Sequence, residues 1–189
     1  MKIIETSYNG YRFRSRLEAR AAVLMDEAKI KYVYEPEGFV FEDGTTYLPD
    51  FYLPDMDTYL ECKGVMHDKD MHKIMMLAKE TGKEIIIFEP DLAPLIGFYS
   101  DDVSFYFPNE DHREDLIIED AFIGKCHKCK RVFFGSINGS WLCRCCGYYD
   151  GDSGFDWLFD YENNPDDYEP IKKARSKRFE FGEAGAKHA

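Results

Sequence analysis

Two cysteine pairs, Cys126-His127-Lys128-Cys129 and Cys143-Arg144-Cys145-Cys146, force the chain between them to double back on itself. Thiolates set close together on a tight turn converge on one point. Two such turns separated by 13 residues, Lys130 to Leu142, have the spacing of a tetrahedral zinc site. Gly147 follows the second pair and supplies the backbone freedom that closes such a turn. The expected Zn²⁺ ligands are Cys126, Cys129, Cys143 and Cys146, with Cys145 and His127 as substitutes, while Cys62 reads as core packing. Val132-Phe133-Phe134 and Ser140-Trp141-Leu142, either side of Asn138-Gly139, read as a hairpin between the knuckles. So short a segment cannot bury a core of its own, so the zinc is expected to be structural. Zinc is favoured over disulfides because no signal-peptide pattern opens the chain, which implies a cytoplasmic protein. No stretch of 18 apolar residues suggests a membrane span.

The chemistry is concentrated elsewhere, in Pro49-Asp50-Phe51-Tyr52-Leu53-Pro54-Asp55-Met56-Asp57-Thr58-Tyr59-Leu60-Glu61-Cys62-Lys63. Asp50 lies in one extended apolar segment, and Glu61 and Lys63 lie in the next. Strand geometry puts Glu61 and Lys63 on one face, with Leu60 and Cys62 on the other. Two carboxylates and an amine gathered at strand ends suit phosphodiester hydrolysis. The carboxylates hold a divalent cation that polarises the phosphate and lowers the pKa of a water, and the ammonium offsets developing charge. The plainer reading is three solvated residues on the open face of a sheet.

Upstream, Ser15 is an N-cap candidate, and Glu18 three residues on completes a capping-box pattern. Leu17, Ala21, Leu24 and Ala28 form an apolar stripe, and Glu18 falls at its edge beside Met25, where it can face inward. Glu18 is therefore either the capping partner of Ser15 or a third acid of the metal site. Beyond the helix come an alternating run from Tyr32 to Phe41, a turn at Glu42-Asp43-Gly44, and the segments Tyr47 to Leu53 and Thr58 to Gly64. A helix from about Asp68 to Thr81, stopped by Gly82, and an apolar strand Glu84 to Phe88 complete the order α-β-β-β-α-β.

This layout resembles the PD-(D/E)XK nuclease superfamily, the restriction-endonuclease-like fold: an α/β architecture with a mixed central sheet flanked by helices. Pro49-Asp50 matches the Pro-Asp element, Glu61-Cys62-Lys63 the (D/E)XK element, and Glu18 the helix acid. The runs Tyr11-Arg12-Phe13-Arg14-Ser15-Arg16-Leu17-Glu18-Ala19-Arg20 and Glu35-Pro36-Glu37-Gly38-Phe39 are similar to small endonucleases of phages and mobile elements, including junction-resolving enzymes. The resemblance implies a Mg²⁺- or Mn²⁺-dependent endonuclease acting on DNA, with branched DNA as one substrate class. Asp50, Glu61 and the Cys62 backbone carbonyl would hold the metal, with Glu18 assisting or binding a second ion, and Lys63 would orient the attacking water. Arg12, Arg14, Arg16 and Arg20 would meet phosphates, or else form an ordinary charged helix face. Paired cuts on two strands would call for a homodimer.

The expected organisation is a nuclease core over residues 1–95, an acidic connecting segment 96–119, a zinc ribbon 120–150, and an acidic aromatic segment with a basic tail, 151–189. Charge sits less easily with DNA binding. The net charge is −12, and residues 1–98 and 99–189 each carry 12 Lys and Arg against 18 Asp and Glu. Much of the excess acid outside the motifs lies in Ser100 to Asp120 and Asp150 to Glu169, either as solvated surface or as an occupant of the cleft. Lys125, Lys128, Lys130, Arg131 and Arg144 make the cysteine segment locally basic, which suits phosphate contacts. The aromatic cluster Tyr148, Tyr149, Phe155, Trp157 and Phe159 reads as packing against the ribbon or as base stacking. The tail Ala174-Arg175-Ser176-Lys177-Arg178-Phe179-Glu180-Phe181-Gly182-Glu183 also resembles the phage-type nucleases, and Lys172 to Arg178 could form a short basic helix. Two rival readings are a catalytically silent nuclease fold that binds nucleic acid or a protein through its zinc ribbon, and an acidic DNA mimic.

Overall fold

The computed structural model describes residues 4–101, 115–138, 141–151, 154–160 and 167–179. Helix α1, Arg16–Ala28, starts where the Ser15 side chain accepts the Glu18 backbone N–H at 3.1 Å, and it ends at Lys29 in the left-handed conformation (φ 60°). Its buried face contains Ala21, Leu24, Ala28 and Met25, as the stripe predicts, and Glu18 lies on that face too. Helix α2, Asp68–Thr81, buries Ile74, Leu77 and Ala78 and stops at Gly82 (φ 65°). The two helices serve different clusters of a mixed sheet. Residues of α1 share a core with Phe51, Leu60, Ile86 and Phe88, and those of α2 with Tyr59, Ile85, Ile87 and Leu116. Alternation along each strand produces this division, since neighbouring side chains point to opposite faces.

Before α1, β1 (Thr6–Tyr8) and β2 (Tyr11–Phe13) form a hairpin, turned by Asn9 and Gly10 at φ 47° and 85°. Downstream of α1 the chain makes β3 (Val33–Tyr34), β4 (Phe39–Val40), β5 (Thr46–Tyr47), β6 (Phe51–Leu53), β7 (Thr58–Cys62) and, after α2, β8 (Ile85–Phe88). The single strands predicted over Tyr32 to Phe41 and Tyr47 to Leu53 are each divided in two. Glu35 at φ 46°, just before Pro36, and Pro49 just before Asp50 break them. Strands β4 and β5 pair only with each other, while β3 and β6 join the main sheet. The order α-β-β-β-α-β is therefore too simple.

The main sheet has eight strands and continues through β9 (Pro94–Ser100), β10 (Asp115–Cys126) and β11 (Val132–Ser136) in the order β11-β10-β9-β8-β7-β6-β3, while β12 (Phe155–Phe159) pairs with β10. Only β7 and β8, linked through α2, run parallel. Twelve residues long, β10 pairs with β9 over its first half and with β11 and β12 over its second. The sheet thus crosses the points at 95 and 119 where the sequence suggested boundaries. Phe122, Phe133 and Phe134 near the cysteines share one buried cluster with Phe88 of β8. Of the hairpin expected around Asn138-Gly139, the described residues Trp141 and Leu142 lie in no strand, and Val132-Phe133-Phe134 pairs instead with β10. Phe134 pairs with Ile123 and Gly135 with Phe122, so the turn of the hairpin is the first cysteine knuckle. Gly139 and Ser140 lie outside the described residues, as do 102–114 and 161–166 of the acidic runs and 180–189 of the tail.

Helix α3, Glu169–Ser176, buries Ile171 and Ala174. Its basic residues are engaged within the protein: Lys173 pairs with Glu27 of α1 at 2.8 Å, and the Arg175 Nε–H donates to the Asp91 carbonyl. Among the described residues no helix is long and apolar enough to cross a membrane.

Candidate active site and metal centre

Register places the acids. Phe51 of β6 faces Leu60 of β7, so Asp50 stands opposite Glu61 and both project on the same side as Tyr52 and Tyr59, toward α2. The Asp50 N–H donates to Glu61 Oε1 at 3.2 Å, and Asp50 Oδ2 accepts the Cys62 N–H at 2.8 Å. Lys63, two residues beyond Glu61 on the same face, brings its Nζ to 3.0 Å from Glu61 Oε2. Asp50 is 6% exposed and Glu61 is fully buried. Carboxylates are buried like this only when they are paired or bind a cation. Glu61 Oε2 has the Lys63 charge nearby but no well-aligned hydrogen bond, and the buried Tyr47 hydroxyl beside it has none either.

The electrostatics follow from that crowding. Burial, then the Glu61 charge, pushes the Asp50 carboxyl well above the usual carboxylate range, with Lys63 opposing. Burial alone would lower the Lys63 ammonium, but Glu61 and Asp50 outweigh it and raise it, keeping the amine charged. The two carboxylates are largely removed from solvent, with Lys63 on Glu61 and Arg14 on Asp50 as their counter-charges, and their donors are hard oxygens of the kind that Mg²⁺ or Mn²⁺ takes.

Glu18 arrives from the other side. Its carboxylate accepts the Tyr34 O–H at 2.7 Å and the Arg14 N–H at 3.1 Å, so it does not return to Ser15 to complete the capping box. The charge of Glu18 still reaches Asp50 and helps to raise its carboxyl, but Glu18 does not join Asp50 and Glu61 in a group of ligand atoms within 4.8 Å of one another. Among the described residues, the four cysteines are the one group of three or more potential ligands whose atoms lie within 4.8 Å of one another. What joins Glu18 to Asp50 is Arg14, whose guanidinium lies 2.7 Å from Asp50 Oδ1, 2.9 Å from Glu35 Oε1 and 3.9 Å from Glu18 Oε2.

The four arginines do not form one basic face. Arg12 is exposed and pairs with Glu5, Arg14 enters the acid cluster, and Arg16 and Arg20 are half-buried on α1 with no ion pair to that cluster. Sequence reasoning missed Tyr34, Glu35 and Tyr47. Glu35 opens the Glu35-to-Phe39 run and Tyr34 directly precedes it, and Tyr47 immediately precedes the Leu48-Pro49-Asp50 segment.

At the far end of β10 the cysteine site forms as expected. The Cys126 and Cys146 sulfurs are 3.8 Å apart and those of Cys129 and Cys143 3.7 Å. Zinc at about 2.3 Å from each of four tetrahedral sulfurs requires them about 3.8 Å apart. Each knuckle closes on its first cysteine: the Lys130 N–H donates to the Cys126 carbonyl at 3.0 Å, and the Gly147 N–H to the Cys143 carbonyl at 2.7 Å. Both closing residues are left-handed, Lys130 at φ 61° and Gly147 at φ 66°. Burial would raise the Cys129 thiol, but the Arg131 N–H and the neighbouring cysteines outweigh it and bring it down to about 7, whereas burial pushes the Cys143 thiol up. The two substitutes have other partners: Cys145 Sγ contacts the Val132 carbonyl at 3.6 Å, and His127 pairs with Asp156 at 2.9 Å. Cys62 packs behind β7 against the α1 core. The four sulfurs form a site compatible with a structural metal such as zinc. Comparison with protein-family models and with curated proteins found no match for this chain.

Proposed function

We propose that this protein is a divalent-metal-dependent endonuclease of the PD-(D/E)XK type that hydrolyses DNA phosphodiester bonds. The observation that carries the reading is the buried Asp50–Glu61 pair, locked by the Asp50 N–H, with the Lys63 ammonium 3.0 Å from Glu61. Asp50 and Glu61, with the Cys62 carbonyl, would hold Mg²⁺ or Mn²⁺, and Glu18 would act from beyond Arg14. The metal would polarise the phosphate and lower the pKa of a water. The protein's own contribution is positional. The strand pairing fixes both carboxylates, α2 and Tyr47 keep water from their backs, and Lys63 stays protonated to orient the nucleophile and balance charge at the phosphate. The four-cysteine site would hold structural Zn²⁺. Branched DNA is one substrate class that the sequence resemblance suggests, with nicking and cleavage of invading DNA equally open, and cutting both strands would take two copies of the chain.

Incubation with supercoiled DNA and Mg²⁺ or Mn²⁺ tests the activity. Wild type should nick or linearise it, and Asp50→Asn and Glu61→Gln should not, with unchanged circular dichroism. Intact supercoiled DNA excludes an endonuclease without structural selectivity, and intact four-way-junction DNA under the same conditions excludes the assignment altogether. A binding role without catalysis has one supporting observation: Trp141 and Trp157 stand exposed and edge-to-face, 5.7 Å apart, on the cysteine-bearing end that also carries Lys125 and Lys128.

A further inference from the structure

The Arg14 guanidinium lies on the oxygens that the proposed metal would need. It is held by acids from three parts of the chain: Glu18 of α1, Glu35 just after β3, and Asp50 just before β6. Its backbone is anchored as well, since its N–H donates to Glu18 Oε2 and Tyr34 Oη, each at 3.1 Å. The four oxygens of Asp50 and Glu61 differ in how readily they exchange partners. Asp50 Oδ2 and Glu61 Oε1 accept backbone N–H groups fixed by the β6–β7 pairing. Glu61 Oε2 faces Lys63, whose side chain is 17% exposed. Asp50 Oδ1 alone is covered by a long side chain that is 47% exposed. A guanidinium on Asp50 Oδ1 and a divalent cation on the same carboxylate repel one another at contact distance.

We infer that Arg14 and a divalent cation compete for Asp50, so that metal binding displaces the guanidinium from the acid cluster. Resting on the nuclease reading, the inference extends it to the order of events. Arg14 neutralises the acids until metal arrives, and is then free to take a substrate phosphate, the acidic group for which its planar fork is best suited. By linkage, whatever weakens the Arg14 contact tightens metal, and metal loosens Arg14 by the same factor.

The test combines Mn²⁺ binding, followed by loss of the free-ion electron paramagnetic resonance signal, with NMR of the Arg14 Nε–H during Mg²⁺ titration. Arg14→Lys assigns the resonance by its disappearance. The expected results are Asp50-dependent Mn²⁺ binding by wild type, about tenfold tighter binding by Arg14→Gln, and an Nε–H signal that shifts and exchanges faster in step with Mg²⁺ saturation. An Nε–H signal unmoved at saturation overturns the competition whatever the affinities, because charge acting through space would leave the contact intact. Equal or weaker Mn²⁺ binding by Arg14→Gln overturns it too. If Arg14→Gln does not fold, the wild-type NMR titration decides alone. Absence of any Asp50-dependent binding in wild type would instead remove the metal reading itself, and the inference with it.

Discussion

Phe134→Ala asks whether the cysteine-bearing end and the acid-bearing core fold as one unit. Phe134 belongs to β11, immediately beyond the first knuckle, yet its fully buried ring meets Phe88 of β8 edge-on at 5.6 Å. Both residues share a cluster with Cys126, Cys143 and the α1 face. Removing a buried phenyl ring costs about 3–5 kcal/mol. For a chain of this length each kcal/mol lowers Tm by about 2–4 °C, so the drop should be about 6–20 °C. Scanning calorimetry of the zinc-loaded protein should show one transition that moves as a whole. Zinc content should stay at the wild-type value, because no ligand is touched. A thermogram that splits, with its major transition at the wild-type temperature, would refute the continuity argued from β10 and would make the cysteine segment an independent module.

Four further outcomes follow from particular contacts. Cys126→Ser and Cys143→Ser should lose bound zinc and fold poorly, whereas Cys145→Ser, at a thiol that lies outside the four-sulfur cluster and contacts the Val132 carbonyl, should keep full zinc content by metal analysis. A β-carbon on Gly135 would fall 2.3 Å from the Phe122 ring, itself stacked on Phe155 at 4.9 Å, so Gly135→Ala should cost about 1–3 kcal/mol in urea unfolding. In metal-free buffer the raised Asp50 carboxyl means that the folded state binds a proton more tightly than the unfolded chain. Wild-type stability should therefore fall relative to Asp50→Asn as pH rises from the usual carboxylate range through the raised value, and a parallel pH profile for the two proteins would contradict this. Tyr34→Phe removes the 2.7 Å hydrogen bond to Glu18 and should cost about 1–2 kcal/mol, because a buried carboxylate oxygen loses a donor.

Local signals in the sequence were reliable where neighbouring residues settle the matter. Ser15, Gly82 and Gly147 each mark an end that depends only on the adjacent backbone. The alternation Leu60-Glu61-Cys62-Lys63 correctly divides core from site. The four ligand cysteines were legible because their spacing is itself the geometry. Pairing between distant strands was not legible. Val132-Phe133-Phe134 reads equally well as a partner for Ser140-Trp141-Leu142 or for Ala121 to Lys125, and only the shared core with Phe88 selects the second. The same ambiguity hid most of β9 and the first residues of β10 within the segment read as acidic linker, although Leu116-Ile117-Ile118 is an apolar run. Asn9-Gly10 was a usable hairpin signal that the arginine-rich run beside it obscured. The position of Arg14 could not be read from spacing, because its three acids come from elements whose meeting point depends on the whole sheet.

The measurement that bears most directly on the nuclease assignment is cleavage of labelled single-stranded, duplex, flapped and four-way-junction DNA by wild type and Lys63→Ala with Mg²⁺ or Mn²⁺. The account predicts metal-dependent cutting by wild type, strongest on a branched substrate, and a loss of at least about a hundredfold in Lys63→Ala with its fold and zinc retained. Cutting by Lys63→Ala at the wild-type rate would remove Lys63 from the chemistry. No cutting of any substrate by the wild type would contradict the assignment and leave the exposed tryptophan face as the part of the molecule to explain.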